Sequence, residues 1–138
     1  MLPVIAIVVP CYNEQEVLPI TAPKLLEVLD RMRDKGIASG ESFVLFCNDG
    51  SRDRTWEIIE NLHSENPRFK GLSLAHNRGH QNVLLAGLMT VAEMCDAAIS
   101  IDADLQDDPD AIIEMVEKFN HGKEIVYGCL LYTSDAAD

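Results

Sequence analysis

Residues 97–109 read AAISIDADLQDDP and change from an apolar run to a cluster of acids within a few positions. The first part, residues 97–101, has the length and composition of a short buried β-strand. The second part places four aspartates within seven positions. Carboxylates this close repel one another, and a hard divalent cation such as Mg²⁺ or Mn²⁺ would offset that repulsion. The alternative is a solvated turn in which Asp108 caps a helix that begins at Pro109.

The composition indicates one acidic globular domain. The chain has 138 residues, 47% of them apolar, and its net charge is −12. This charge argues against nucleic acid or an anionic membrane surface as a partner of this segment. Residues 4–9 lack the basic flank of a signal peptide, and no apolar run reaches the roughly 18 residues of a membrane span. The segment is therefore expected in the cytoplasm, and the sequence leaves its oligomeric state open.

Apolar runs alternate with helical patterns along the chain. This alternation predicts an α/β fold with a mostly parallel sheet and helices on both faces. The predicted strands are residues 4–9, 43–47, 69–75, 97–101 and 124–128. The predicted helices are about residues 22–35, 53–65, 80–95 and 109–120, the first of them capped by Thr21.

Each of the first four predicted strands is followed at once by polar residues. These clusters are residues 12–14, 48–53, 77–81 and 102–108. Because crossovers between parallel strands are right-handed, the C-terminal ends of the strands meet at one edge of the sheet. Open α/β sheets bind ligands at that edge, near the topological switch point. The sequence therefore predicts a single binding site built from all four clusters.

The first two clusters each have a structural and a functional interpretation. Asn13 can cap the next helix, with Glu16 completing a capping box, or Asn13 and Glu14 can contact a ribose or base. Asp49 suits a tight Asp-Gly turn, with Ser51 capping the helix that follows. Alternatively, the Asp49 carboxylate recognises a base imide N–H or sugar hydroxyls, and rejects ligands that lack the donor.

The third cluster places Arg78 beside Gly79 at the start of a predicted helix. A helix N-terminus with an arginine suits an anion, and the alternative is a solvated loop in which His80 is incidental.

The four cysteines form no C-x-x-C pair, so free buried thiols are expected, with Cys11 and Cys47 near neighbouring strand ends. The sequence contains no G-x-G-x-x-G motif, no P-loop and no G-x-S-x-G elbow. These absences argue against a dinucleotide cofactor, P-loop ATP hydrolysis and a serine hydrolase, respectively.

Together these stretches resemble the family-2 glycosyltransferases of the GT-A fold, most of all the branch that transfers a sugar from a nucleotide donor to a polyprenyl phosphate. They cover residues 3–128 in the family's order and spacing. The matching motifs are Pro10-x-Tyr12-Asn13-Glu14, Asn48-Asp49-Gly50-Ser51-x-Asp53-x-Thr55, Asn77-Arg78-Gly79-His80-Gln81, Asp102-Ala103-Asp104-Leu105-Gln106-Asp107 and Val126-Tyr127-Gly128.

The resemblance implies a Rossmann-like GT-A domain that is incomplete at its C-terminus. Residues 1–128 would form the nucleotide-sugar-binding part. Residues 129–138 form a tail without a family counterpart, as expected of a truncated or artefactual reading frame. Many relatives carry aspartate where this chain has Asn48, which departs from the family pattern.

The resemblance also implies roles for individual residues. Asp102 and Asp104 would hold Mg²⁺ or Mn²⁺, with Asp104 the principal ligand. The residues implied in catalysis are Asp102, Asp104 and Asp107. The residues implied in donor binding are Pro10, Tyr12, Glu14, Asp49, Ser51, Arg78, Asp102 and Gln106.

The implied activity is an inverting transfer of a sugar from a UDP-sugar to a polyprenyl phosphate, at the cytoplasmic face of the membrane in the full-length relative. One alternative is a haloacid-dehalogenase-type phosphatase, whose nucleophilic aspartate would follow the first strand, where this chain has Cys11 and Tyr12. A nucleotidyltransferase is disfavoured because no glycine-rich loop follows that strand. A non-catalytic nucleotide-binding fragment is the remaining alternative.

Overall fold

The computed structural model describes residues 2–105, 108–120 and 130–133. Strands and helices alternate along these residues, and the last element is a short fifth strand. The strands are β1 (Ile5–Cys11), β2 (Phe43–Asp49), β3 (Phe69–Leu74), β4 (Ala97–Ser100) and β5 (Leu130–Thr133). The helices are α1 (Leu18–Asp34), α2 (Thr55–Glu65), α3 (His80–Val91) and α4 (Pro109–Asn120).

The strands form one sheet in the order β3-β2-β1-β4-β5. The first four strands are parallel, and β5 pairs antiparallel with β4. The chain moves outward from β1 to β3 and then returns to β4 on the other side of β1, so the topological switch point lies between β1 and β4. The predicted α/β fold with a mostly parallel sheet is confirmed. The strand predicted at residues 124–128 lies outside the described residues, and β5 was not predicted.

Both faces of the sheet are covered, which explains why β1 and β2 are apolar almost throughout and buried at every position. Ile5, Ile7 and Val9 face a core shared with α1, α2 and α4. The alternate residues Ala6 and Val8 face a second core shared with α3. The helix lies very close to the sheet there, since a Cβ on Gly87 would stand 2.6 Å from Cys47 Sγ.

The predicted helix starts were less accurate than the strands. Helix α1 begins at Leu18 rather than near residue 22, because Pro19 falls in its first turn, where a backbone N–H has no partner within the helix. Thr21 is inside α1 and does not cap it. No side-chain hydrogen bond caps α1 at Val17, so the capping box proposed for Asn13 is also wrong.

Among the other helices, the predicted cap of α2 and the predicted end of α3 are wrong, and the predicted cap of α4 is confirmed. Helix α2 begins at Thr55, so Ser51 does not cap it, and α3 ends at Val91 rather than near residue 95. The capping role of Asp108 is confirmed, because its Oδ1 accepts a hydrogen bond from Asp110 N at 2.9 Å.

Candidate functional site

A cleft of about 330 Å³ opens at the C-terminal edge of the parallel strands. It lies at the switch point between β1 and β4, where the topology of an open α/β sheet leaves room for a ligand. All four polar clusters contribute to its walls. The lining residues are Pro10, Cys11, Tyr12, Glu14, Asp49, Asn77, Gly79, His80, Val83, Asp102, Ala103 and Asp104.

The acidic turn after β4 presents two carboxylates to this cleft. Leu105 N donates to Asp102 O at 3.0 Å, and Leu105 has a φ of 50°, which closes a tight turn. Ala103 at the centre is 4% exposed, and its carbonyl accepts a 2.7 Å hydrogen bond from the Thr21 hydroxyl. Asp102 and Asp104 on either side are exposed. The turn is therefore anchored at its middle residue, with its carboxylates directed away from the core.

The pKa of Glu14 reflects its partial burial and the negative charge of the acidic residues around it. Its carboxyl group is partly buried, and burial raises its pKa above the ordinary value. The carboxylates of Asp104, Asp53 and Asp102 raise the pKa of Glu14 further. Four acids from three loops thus share one region, which makes the site favourable for a cation and unfavourable for an unaccompanied anion.

The donor set fits a hard, hydrated divalent cation. Within the described residues, no group of three or more Asp, Glu, His or Cys side chains converges tightly enough to enclose a metal ion. Mg²⁺ and Mn²⁺ do not require such a cage, because Mg²⁺ in particular keeps several waters and binds through one or two carboxylates plus phosphate oxygens. Asp102 and Asp104 are the two exposed carboxylates of the acidic turn that would hold such a cation. Gln106 and Asp107 lie outside the described residues.

Asp49 lines the cleft, but its carboxylate already has partners. It is 3% exposed, and it accepts hydrogen bonds from the backbone N–H groups of Arg78 at 2.7 Å and Gly79 at 3.0 Å. The carboxylate therefore holds the β3–α3 loop against the end of β2. Arg78 itself is exposed and is not among the residues that line the cleft.

The side-chain amide of Asn48 uses both its donor and its acceptor. Its side-chain Nδ2 donates to Ser73 Oγ at 3.0 Å, and its Oδ1 accepts from Ser51 N at 3.2 Å. An ionised carboxylate can only accept, whereas an amide does both. Asn48 therefore links β2 to β3 while also fixing the turn that follows.

Ser51 is not among the residues that line the cleft. Its Oγ accepts a hydrogen bond from Asn13 N at 2.9 Å, and Asn13 Oδ1 accepts one from Arg52 N at 2.9 Å. Asn13 has a φ of 54°, a left-handed conformation that asparagine tolerates better than most residues. Ser51, predicted as a donor-binding residue, thus joins the β1–α1 loop to the β2–α2 loop.

The junction between residues 13–15 and residues 51–55 contains further contacts. The sequence placed Asp53 and Thr55 in a motif but assigned no role to them or to Gln15. Glu14 N donates to Thr55 Oγ1 at 2.8 Å, Gln15 N donates to Asp53 Oδ2 at 3.3 Å, and Gln15 Oε1 accepts from Arg54 N at 3.0 Å. The available signal was alternation, since short polar side chains stand at every second position of both loops. Asn13 and Gln15 on one loop face Ser51, Asp53 and Thr55 on the other.

The cysteines are free thiols, as predicted, at the three positions that the structure describes, Cys11, Cys47 and Cys95. Burial raises the pKa of Cys11 well above the ordinary range, and the neighbouring Cys47 and Glu14 raise it further. Burial likewise raises the pKa of Cys47 to about 12. Cys11 touches the cleft as a neutral thiol, so it is unsuited to act as a nucleophile.

The sequence profile of a known family matches most of the chain. Residues 6–138 match the family described as "Glycosyl transferase family 2". The chain belongs to glycosyl transferase family 2. The match includes residues 129–138 and does not set them apart, so the boundary predicted at residue 128 stays a prediction.

Curated relatives of this glycosyl transferase family 2 chain carry glycosyltransferase names. The uncharacterized glycosyltransferase YkoT of Bacillus subtilis is 48% identical over 126 residues, covering 91% of this chain and 37% of the relative. The prophage bactoprenol glucosyl transferase homolog of Escherichia coli is 37% identical over 122 residues, covering 88% of this chain and 37% of the relative. The chain thus spans little more than a third of the length of these relatives.

Solved structures share the fold of this family 2 chain at low sequence identity. S. aureus TarS superposes with a TM-score of 0.65 at 17% identity, covering 86% of this chain and 32% of that protein. Glucosyl-3-phosphoglycerate synthase from Mycobacterium tuberculosis, in complex with Mn²⁺, UDP and phosphoglyceric acid, superposes with a TM-score of 0.59 at 18% identity. That match covers 89% of this chain and 41% of the synthase. The described residues have the Rossmann-like GT-A fold of these proteins.

In the part of the chain that the structure describes, no helix combines the length and the apolar character needed to cross a bilayer.

Proposed function

We propose that this chain is the nucleotide-sugar-binding part of an inverting glycosyltransferase, which moves a sugar from a UDP-sugar to a polyprenyl phosphate. The observation that carries the proposal is the acidic cleft at the switch point, where Glu14, Asp102 and Asp104 meet. Among the described residues that line it, none is a lysine or an arginine. Because a sugar diphosphate is an anion, such a cleft admits it only together with a divalent cation.

Asp104 and Asp102 would hold that cation, with Asp104 the principal ligand. Both carboxylates are exposed on a turn that Thr21 anchors through the carbonyl of Ala103. When bound, Mg²⁺ or Mn²⁺ would neutralise the negative charge that develops on the departing nucleoside diphosphate. The Mn²⁺ and UDP in the complex of the mycobacterial synthase support this role, although that protein shares only the fold.

The other walls of the cleft suit the nucleoside and the diphosphate. Pro10 and Tyr12, the latter 42% exposed, offer apolar surface to the uridine. Each carboxylate oxygen has two lone pairs, so Asp49 retains acceptor capacity for a base N–H after binding the loop amides. Helix α3 begins at His80 in the cleft wall, and its first-turn N–H groups favour a phosphate nearby.

The acceptor is proposed from the relatives. Several of them, including the Escherichia coli protein, are named bactoprenol glucosyl transferases or homologues of one. The second pKa of a phosphate monoester is about 6, so a polyprenyl phosphate is already ionised at neutral pH and needs little help from a general base. Single displacement by that phosphate at the anomeric carbon inverts its configuration. Gln106 and Asp107 are proposed to face the sugar.

A phosphatase and a non-catalytic nucleotide-binding fragment are the two alternatives to glycosyl transfer, and each predicts a different experimental outcome. Family membership favours glycosyl transfer over the phosphatase, and β1 ends at Cys11 where the phosphatase would place its nucleophilic aspartate. A non-catalytic nucleotide-binding fragment predicts UDP binding without transfer. Hydrolysis of an aryl phosphate that is lost in Asp102→Asn would instead favour the phosphatase.

Paramagnetic broadening of amide NMR signals tests where the cation and nucleotide meet. With UDP present, substoichiometric Mn²⁺ is expected to broaden the signals of Glu14, Asp102 and Asp104 first. The signals of residues 62–65, in the last turn of α2 and about 10–15 Å along the helix from Thr55, are expected to be the least affected in that helix. Broadening centred elsewhere, or equal broadening throughout the chain, would reject the assignment of the metal site.

A further inference from the structure

The backbone of Glu14 is held by a chain of hydrogen bonds that starts outside the cleft. Glu14 N donates to Thr55 Oγ1 at 2.8 Å, and the Thr55 hydroxyl in turn donates to Asp53 Oδ1. The same carboxylate accepts from Thr55 N at 2.9 Å and from Gln15 N at 3.3 Å. Thr55 is fully buried, so its hydroxyl is shielded from competing water, whereas Asp53 is only partly buried.

The order of donors and acceptors in this chain is fixed. An ionised carboxylate can only accept, so the single hydroxyl proton of Thr55 must go to Asp53. The lone pairs of the hydroxyl are then left to face the N–H of Glu14. Asp53 thereby determines how the hydroxyl is oriented, and the hydroxyl determines where the Glu14 amide lies.

A second set of bonds completes the junction on either side. Ser51 and Arg52 bind Asn13, and Arg54 N binds the side chain of Gln15. Residues 13–15 are therefore held at three successive positions by residues 51–55. None of these joining side chains lines the cleft, whereas Tyr12 and Glu14 do. The junction restrains the backbone and leaves the two cleft-facing side chains available.

We propose that Thr55, oriented by Asp53, is a positioning residue of the donor site that sets the places of Tyr12 and Glu14. The inference rests on the proposed function, because its readout is nucleotide binding. Thr55 does not touch the ligand in this proposal. It acts through the amide of Glu14 and through the loop that carries Tyr12.

The first test compares two substitutions at the same position. Thr55→Val keeps the shape of the side chain but removes the hydroxyl, leaving the Glu14 N–H without its acceptor. We expect UDP affinity in Mn²⁺ to fall about tenfold, the equivalent of one lost hydrogen bond in a buried setting. Thr55→Ser restores the hydroxyl and is expected to restore affinity. Thr90→Val is the matched control, because the Thr90 hydroxyl donates to the carbonyl of Ala86 on the exposed side of α3.

Amide hydrogen exchange shows whether the loss of affinity comes from a looser backbone at residues 13–15. Amides of residues 13–15 are expected to exchange faster in Thr55→Val than in the wild type, and at the wild-type rate in Thr55→Ser. If Thr55→Val does not fold, Asp53→Ala replaces it, since it leaves the Thr55 hydroxyl without the carboxylate that orients it. Its matched control is Asp34→Ala, whose carboxylate contacts Arg33 at 3.2 Å on the exposed surface.

The outcomes separate this inference from the proposed function. Wild-type protein that fails to bind UDP with metal would overturn the proposed function and the positioning role with it. The positioning role alone would be overturned if the wild-type protein binds UDP and Thr55→Val, or Asp53→Ala in its place, binds it equally well. Loss of affinity in both Thr55→Val and Thr55→Ser, with unchanged exchange at residues 13–15, would also overturn it.

Discussion

The buried carboxylate of Asp49 accepts a hydrogen bond from the backbone N–H of Arg78 at 2.7 Å, which ties the end of β2 to the loop after β3. A second bond from Gly79 N at 3.0 Å uses the other carboxylate oxygen. The motif residue Asp49 thus supports the wall of the cleft as well as facing into it. Substitutions at this position are expected to change both stability and binding.

Asp49→Ala is expected to lower the free energy of unfolding by about 2–3 kcal/mol, because two backbone N–H groups lose a charged acceptor. Urea denaturation measures this loss. Asp49→Asn keeps one acceptor oxygen, so its free energy of unfolding should lie between those of the wild type and Asp49→Ala. Comparison of UDP with CDP then separates the roles: a base contact predicts that Asp49→Asn loses preference for UDP, whereas loop support alone predicts equal losses for both nucleotides.

Gly50→Ala is expected to destabilise the protein more than Gly36→Ala. Both glycines have positive φ, 65° and 70°, so each substitution carries the cost of a left-handed alanine, about 1 kcal/mol. A Cβ at Gly50 would also stand 2.5 Å from Asn77 N, whereas one at Gly36 would have nothing within 4 Å. Thermal unfolding of the two variants isolates the cost of that clash. Equal melting temperatures would mean that the β2–α2 and β3–α3 loops separate easily.

Asp53 is expected to give the protein part of its pH dependence. Burial alone would raise the pKa of Asp53, but hydrogen bonds from the Thr55 hydroxyl and from the N–H groups of Thr55 and Gln15 outweigh it, so this pKa lies below its ordinary value of 3.8. A lowered carboxyl pKa stabilises the fold above the ordinary pKa, and that stability is lost as the pH falls through the folded-state value.

Asp53→Asn is therefore expected to cost about 1 kcal/mol at pH 7 and progressively less below pH 3.8. Urea denaturation at several pH values measures the difference from the wild type. Asp34→Asn is the matched control, because the contact of Asp34 with Arg33, 3.2 Å away, is exposed to solvent. A cost for Asp53→Asn that does not change with pH would mean that its carboxylate is not the group holding the loop.

The sequence was most informative where burial on two faces leaves a plain apolar run. Strands β1, β2 and β4 were predicted within about two residues for this reason. Helix starts were less predictable, because the polar residues next to them are used elsewhere. Thr21 binds the carbonyl of Ala103, 82 positions away, and Ser51 binds Asn13 in another loop. Such partners are set by the tertiary fold and leave no local pattern.

The candidate site shows the same division. Motif spacing correctly brought Glu14, Asp49, Asp102 and Asp104 to one cleft, because parallel topology decides which strand ends meet. It could not separate side chains that line the cleft from those, such as Ser51, that join neighbouring loops. That choice depends on which way each side chain points within a turn. The roles assigned to all of these residues stay predictions.

The most direct test of the central claim is calorimetric titration of UDP in Mn²⁺, in Mg²⁺ and in excess EDTA. The account predicts binding by the wild type only with a divalent cation, loss of that binding in Asp104→Asn, and no change in Asp34→Asn. Equal UDP affinity in EDTA, or wild-type affinity in Asp104→Asn, would contradict the assignment of the acidic turn as the metal and diphosphate site.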